Sequence, residues 1–239
     1  MDVKAFIDNF REAFGWAAKL PIAFWYSESP VAEPQHVNGC FFKAFGQLHE
    51  GLALAFDAAT VACGGGRLYT GFSPMPPTVP NFVSGKEKYK QTPEMVSEFV
   101  AALDIPDESA RYLNFMRVDG LQSFDDIEGV IFVAAPDVLS GLLTWTWYDT
   151  NAEDAVATIF GSGCSATVTQ TTLENRRGGY RTFLGGFDVS VRPCFEPGEL
   201  TFSIPLSRWR TMLGTMRQSC LYDTHAWRKV QERLPGGTD

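Results

Sequence analysis

Apolar residues recur at helical spacing from the start of the chain. Val3, Phe6, Ile7, Phe10 and Phe14, with charged residues between them, predict an amphipathic helix over 3–17 whose apolar face docks on a core. Pro21 then opens LPIAFWYS, a run of branched and aromatic residues that reads as a strand, and Pro30 and Pro34 make the following stretch a loop. A second helix is expected from Cys40, directly after Gly39, through FFKAFGQLHE to Gly51, followed by the short strand LALAF. CGGGR at 63–67 reads as a turn.

Four prolines in SPMPPTVPN (73–81) forbid continuous helix or central strand there and predict a surface connection. Thr92 and Pro93 form a cap-and-first-turn pair, with Val96, Phe99, Val100 and Leu103 as the buried stripe of the helix they start. YLNFMRV and GVIFVAA are expected strands, and PDVLSGLLTWTWYD is an expected helix. AVATIF is read as a strand that runs through GSGC into a helix over SATVTQTTLENR. YRTFLGGF and LTFSI add strands. Trp209, Met212, Leu213 and Met216 mark a helix after Pro205. Asp223 or Thr224 caps a last helix carrying Trp227, Val230 and Leu234, ended by Pro235 and Gly236.

These elements predict an α+β fold, with mixed sheet and flanking helices in one domain over 1–239. A weak echo, Gly39-Cys40 before GRLYTGF and Gly163-Cys164 before YRTFLGGF, suggests two related halves, 1–80 and 115–220, joined by the proline-rich 73–81 loop and the 92–104 helix.

Composition narrows the function classes. With 239 residues, 45% hydrophobic and 20% charged, the chain can bury a sizeable core. A net charge of −8 without a run of Lys or Arg argues against nucleic acid and anionic membranes as partners. No apolar run approaches the roughly 18 residues that span a bilayer. Asp2, Asp8 and Glu12 interrupt the first segment, so no export signal is read, and five scattered cysteines fit reduced thiols in a cytoplasm. A homo-oligomer is left open.

The candidate chemistry lies where glycines meet cysteines. GSGCSA fits G-x-G-x-x-A between strand and helix, a context in which Gly161, Ser162, Gly163 and Cys164 can offer backbone N–H groups to a phosphate or carboxylate. The plainer alternative is a tight turn that needs Gly161 and Gly163 for positive φ. Cys63, Gly64, Gly65, Gly66 and Arg67 can form a second anion-binding concavity, or simply a flexible turn. Cys40 and Cys164, at expected helix starts where the dipole lowers a thiol pKa, are the candidate nucleophiles. Cys40, Cys63, Cys164 and Cys220 are candidate ligands for zinc or an iron-sulfur cluster, although no C-x-x-C supports this and each cysteine alone can be a small buried hydrophobe. His36 and His225 are near Cys40 and Cys220 in sequence, and His49 reads as a solvated helix residue. The cluster Asp125, Asp126 and Glu128 reads as a solvated turn.

The strings GCFFKAFG, CGGGRLYTGF, KYKQTPE, IFGSGCS and SCLYDTHAW, in that order between Pro21 and Trp227, resemble the uncharacterised family known as domain of unknown function 169. The resemblance implies no substrate and no catalytic residue. It implies only that Cys40, Cys63, Cys164 and Cys220 fall within recurring motifs; Cys194 falls outside them and is set aside as structural. Three readings follow: a small-molecule or anion-binding, thiol-based redox protein; a thiolate metalloprotein; or a non-catalytic binding and assembly module.

Overall fold

The computed structural model describes residues 1–105 and 110–235 of the chain. Its frame is one mixed seven-stranded sheet formed by β1 (Ile22–Ser27), β2 (Leu54–Phe56), β3 (Tyr112–Arg117), β4 (Gly129–Ala134), β5 (Val156–Ala157), β6 (Thr182–Gly185) and β7 (Leu200–Pro205). The strand order is β2-β3-β1-β4-β7-β6-β5. Only β5 and β6 pair in parallel; every other neighbouring pair is antiparallel. β1 lies between β3 and β4, so the stretches 1–80 and 115–220 are woven into the same sheet.

Successive side chains along a strand point to opposite faces, and β4 shows this directly. Val130, Phe132 and Ala134 enter one apolar cluster, while Ile131 and Val133 enter another on the far side. The first face is covered by α1 (Val3–Phe14), α6 (Pro136–Thr146), α8 (Leu206–Thr215) and α9 (His225–Gln231). At its centre Trp209 meets Phe6 at 4.9 Å, Trp145 at 5.8 Å and Phe132 at 6.0 Å, in the edge-on arrangement that aromatic quadrupoles favour. The second face carries the 3-10 turn Phe41–Ala44, α2 (Phe45–His49), α3 (Gly64–Tyr69) and the helix that begins at Gly163 and ends as α7 (Gln170–Arg176). Two further helices, α4 (Val79–Gly85) and α5 (Pro93–Ala102), pack together around Leu68, Val96 and Val100 beside this second face.

Local chemistry accounts for the element ends. Asp2 accepts a bond from Ala5 N at the start of α1, which stops at Phe14 rather than 17 because Gly15 turns the chain with φ +78°. Thr92 and Thr224 cap α5 and α9 through their hydroxyls. Gly236 lies outside the described residues.

Four expectations need correction. CGGGR is a helix start rather than a turn: the three glycines form the first turn of α3, capped by the Cys63 sulfur, which accepts from Gly66 N at 3.4 Å. The segment 73–81 is not wholly loop, since Val79 and Pro80 open α4, a position where proline's missing N–H costs nothing. AVATIF contributes only two strand residues. His49 is not solvated: neither ring nitrogen finds a partner, and burial, with Lys19 and Arg117 nearby, pushes its pKa down to about 4.

The sign of the His49 effect follows. An unfolded chain protonates this imidazole near pH 6.5 and the folded chain only near 4. The stability it contributes is therefore complete above about 6.5 and is lost as pH falls through that window. Urea unfolding of His49→Leu should show unchanged or higher stability at pH 7 and a flatter decline between pH 6.5 and 4 than the parent; an unaltered slope would refute this assignment.

Candidate functional site

Four segments bring one cysteine each to the second face of the sheet. Cys40 precedes the 3-10 turn Phe41–Ala44, and its position is fixed because Phe41 and Phe42 are driven into the core. The Phe41 ring lies 5.6 Å from Phe56 and 5.8 Å from Phe115 on the sheet. Cys63 caps α3. Cys164 is the second residue of the helix that starts at Gly163 and is itself buried. Cys194 ends the short turn Arg192–Cys194.

Two glycines permit this convergence by lacking a side chain, not by adopting positive φ; neither Gly161 nor Gly163 has one, which corrects the tight-turn expectation. A Cβ on Gly163 would stand 2.7 Å from Val191 Cγ2, so only glycine lets the segment bearing Cys194 close onto the helix start. A Cβ on Gly66 would stand 2.9 Å from Val61 Cγ1, so glycine likewise seats α3. The Cys194 segment is tied from within: the Arg192 guanidinium donates to the carbonyls of Gly186, Glu196, Pro197 and Glu199. Thr169, one helix turn beyond Cys164, donates to the Tyr69 carbonyl and links the Gly163 helix to α3.

The result is a hollow of about 420 Å³ lined by Cys40, Cys63, Cys164 and Cys194, with Gly65, Gly66, Ser162, Gly163 and Lys43 on its walls. Gly64 and Arg67 do not line it, and Gly161 faces the neighbouring cavities instead. Cys220 packs against the cluster on the opposite side of the sheet. Cys194, which its motif-free surroundings led the sequence reading to set aside, takes the fourth place; the only local signal was its residue type.

Burial dominates the thiols. It pushes the Cys40 thiol well above its ordinary range, with further upward pushes from Cys164, Cys194 and Cys63. Cys164 is pushed up to about 12 by burial, against the Ser162 hydroxyl at 3.1 Å, with Cys63 and Asp188 adding to the rise. Burial also raises Cys194, opposed by its contact with Cys40 and by the Lys43 ammonium. The helix-start lowering expected for Cys40 and Cys164 is thus outweighed, and at neutral pH these three sulfurs carry protons unless a cation replaces them. His36 is exposed and His225 opens α9, on the first face, so neither joins the hollow.

Among the described residues no three His, Cys, Asp or Glu side chains close tightly enough to hold a single metal ion. No helix among them is long and apolar enough to cross a membrane.

A family model described as DUF169, uncharacterised ArCR, matches residues 17–214, and the chain belongs to this family. The matched stretch contains all four cysteines of the hollow and ends before Cys220. No curated protein and no solved structure matches the chain.

Because a Cβ at 163 would meet the short, branched side chain of Val191, with Val191 Cβ itself at 3.0 Å, Gly163→Ala should force the Val191 segment outward. We expect a stability loss of about 1–3 kcal/mol, the usual cost of overpacking. Cys194 should be alkylated at least several-fold faster than in the parent, read by mass spectrometry after brief iodoacetamide treatment, while Cys220 keeps its rate. Equal rates at Cys194 would show that the contact does not hold that segment.

Proposed function

We propose that this protein binds an iron-sulfur cluster on Cys40, Cys63, Cys164 and Cys194. The observation that carries the reading is the convergence of four cysteines, remote in sequence, on one hollow. Such clusters are held by four cysteine thiolates. In the four-iron cubane each thiolate ligates a different iron, so the sulfurs stand farther apart than around one ion.

The chemistry of the walls supports the same reading. Thiols held protonated by burial are poor nucleophiles, which weighs against Cys40 or Cys164 attacking a substrate unaided. A soft cation displaces those protons and supplies the charge that burial otherwise forbids. The resulting centre is anionic, and the Lys43 ammonium and the N–H groups at the start of the Gly163 helix offset that charge. Hydrogen bonds and burial around the sulfurs then set the potential at which the centre exchanges an electron. The anion-binding role first read for the CGGGR turn loses support, because Arg67 is turned away from the hollow.

Anaerobic reconstitution with ferrous iron and sulfide tests this. The full chain should take up about four irons, the number in the cubane held by four cysteines, and develop broad visible absorption that bleaches on reduction. Single serine replacements at Cys40, Cys63, Cys164 or Cys194 should each lower iron content at least several-fold, whereas Cys220→Ser should load fully. Loading that depends on Cys220 and ignores Cys194, or no loading at all, would overturn the proposal.

A further inference from the structure

A second chamber of about 240 Å³ lies against the cysteine hollow, and the two share a wall of Cys63, Gly65, Ser162 and Ser190. Its character is different. α4 and α5 roof it with Phe82, Val83, Val96 and Phe99, and Phe160 and Tyr69 close its sides. The volume equals that of about eight liquid waters, which admits a small organic molecule and no polymer. The surface is dominated by ring faces and branched side chains, the composition of small-molecule sites rather than of solvent channels.

One cation stands in this apolar setting. Lys90 Nζ lies 4.5 Å from the centre of the Phe160 ring and 5.1 Å from that of Phe99, and the two rings meet edge-on at 5.3 Å. Ring faces hold an ammonium in place without neutralising it. Among the described residues Lys90 pairs with no carboxylate; the other charged residue on the lining, Glu87, is exposed. A half-buried positive charge in an aromatic chamber lacks its counter-ion, and a ligand bearing a carboxylate beside an aromatic ring supplies both the missing charge and the filling.

We infer that this chamber binds a small aromatic carboxylic acid, its ring among Phe82, Phe99 and Phe160 and its carboxylate on Lys90, with the far end of the ligand directed at the wall formed by Cys63 and Ser162. The binding step needs no cluster. It goes beyond the cluster reading, and the adjacency of the two chambers then places such a ligand beside the metal centre.

Phenylacetate, 2-phenylethanol and 2-phenylethylamine serve as probes, measured by calorimetry and ligand-observed NMR on the full chain before and after iron loading. Phenylacetate should bind at least tenfold more tightly than the neutral alcohol and the amine. Lys90→Met should remove that preference while leaving the alcohol's affinity within about twofold, and Val83→Trp, which fills the chamber, should abolish binding of all three. Circular dichroism confirms that both variants fold. Equal binding of acid and alcohol, no binding of either, or a preference that survives Lys90→Met would overturn the inference. Since the iron-free chain is tested too, phenylacetate binding without iron uptake would sink the cluster reading alone, and iron uptake without phenylacetate binding would sink this one alone.

Discussion

The close approach of Val191 to the backbone at Gly163 is the constraint on which the site depends. Any side chain at 163 would meet Val191 at a distance that real contacts essentially never show. With hydrogen there, the loop that follows β6 folds back over the start of the long helix, and Cys194 reaches the space already bordered by Cys40, Cys63 and Cys164. Arg192 makes the return durable by collecting four carbonyls of its own loop. Charge-assisted bonds of this kind are about twice as strong as neutral ones, so one side chain rigidifies a stretch whose only regular structure is the short 3-10 turn Arg192–Cys194.

The helix behind this contact departs from regular α geometry where the function is drawn. Ser165–Thr169 forms a π turn immediately after Cys164. Such turns are uncommon and recur at functional sites because the extra residue re-aims the side chains on either side. Here the widened turn is rich in hydroxyls, with Ser165, Thr167 and Thr169 all buried. Thr167 bonds back to the Gly163 carbonyl at 2.6 Å, and Thr169 reaches the Tyr69 carbonyl. Among the described residues the buried hydroxyls of Ser165, Thr171 and Thr172, and of Thr201 on β7, find no protein partner.

Much of the fold was legible because it is written in local patterns. The amphipathic stripe of α1, the Thr92-Pro93 start of α5 and the branched and aromatic runs of β3 and β4 each carry their own signal, and the α+β class followed from them. The start of the Gly163 helix was legible from its glycines. α3 was not, since three successive glycines are among the poorest helix formers. What makes them helical is tertiary: the Cys63 sulfur caps the turn, and Val61 leaves no room for anything larger at Gly66. The sidedness of the cysteines was equally hidden. Cys220 sits in as recognisable a string as Cys40, yet the sheet separates them, and only strand register decides on which face a loop emerges. Cys194 was invisible for the opposite reason, since the interactions that place it run from a guanidinium to backbone carbonyls and leave no side-chain pattern to read.

Net charge also misleads at the scale of a site. A net charge of −8 was read as arguing against nucleic acid and anionic membranes, an argument that concerns extended polyanions and not small ligands. Inside a concavity the relevant field is set by the nearest few groups in a low dielectric. Lys43 on the cysteine hollow and Lys90 between two rings in the adjoining chamber are such groups, each facing a cavity whose remaining walls are mostly apolar or thiol. The two proposals place negative charge beside these lysines, on sulfur in one chamber and on a ligand in the other. The wall between them, Cys63, Gly65, Ser162 and Ser190, comes from the two glycine-cysteine segments and the loop that carries Cys194. Because those four residues line both spaces, whatever occupies the aromatic chamber lies against residues that also line the sulfur hollow.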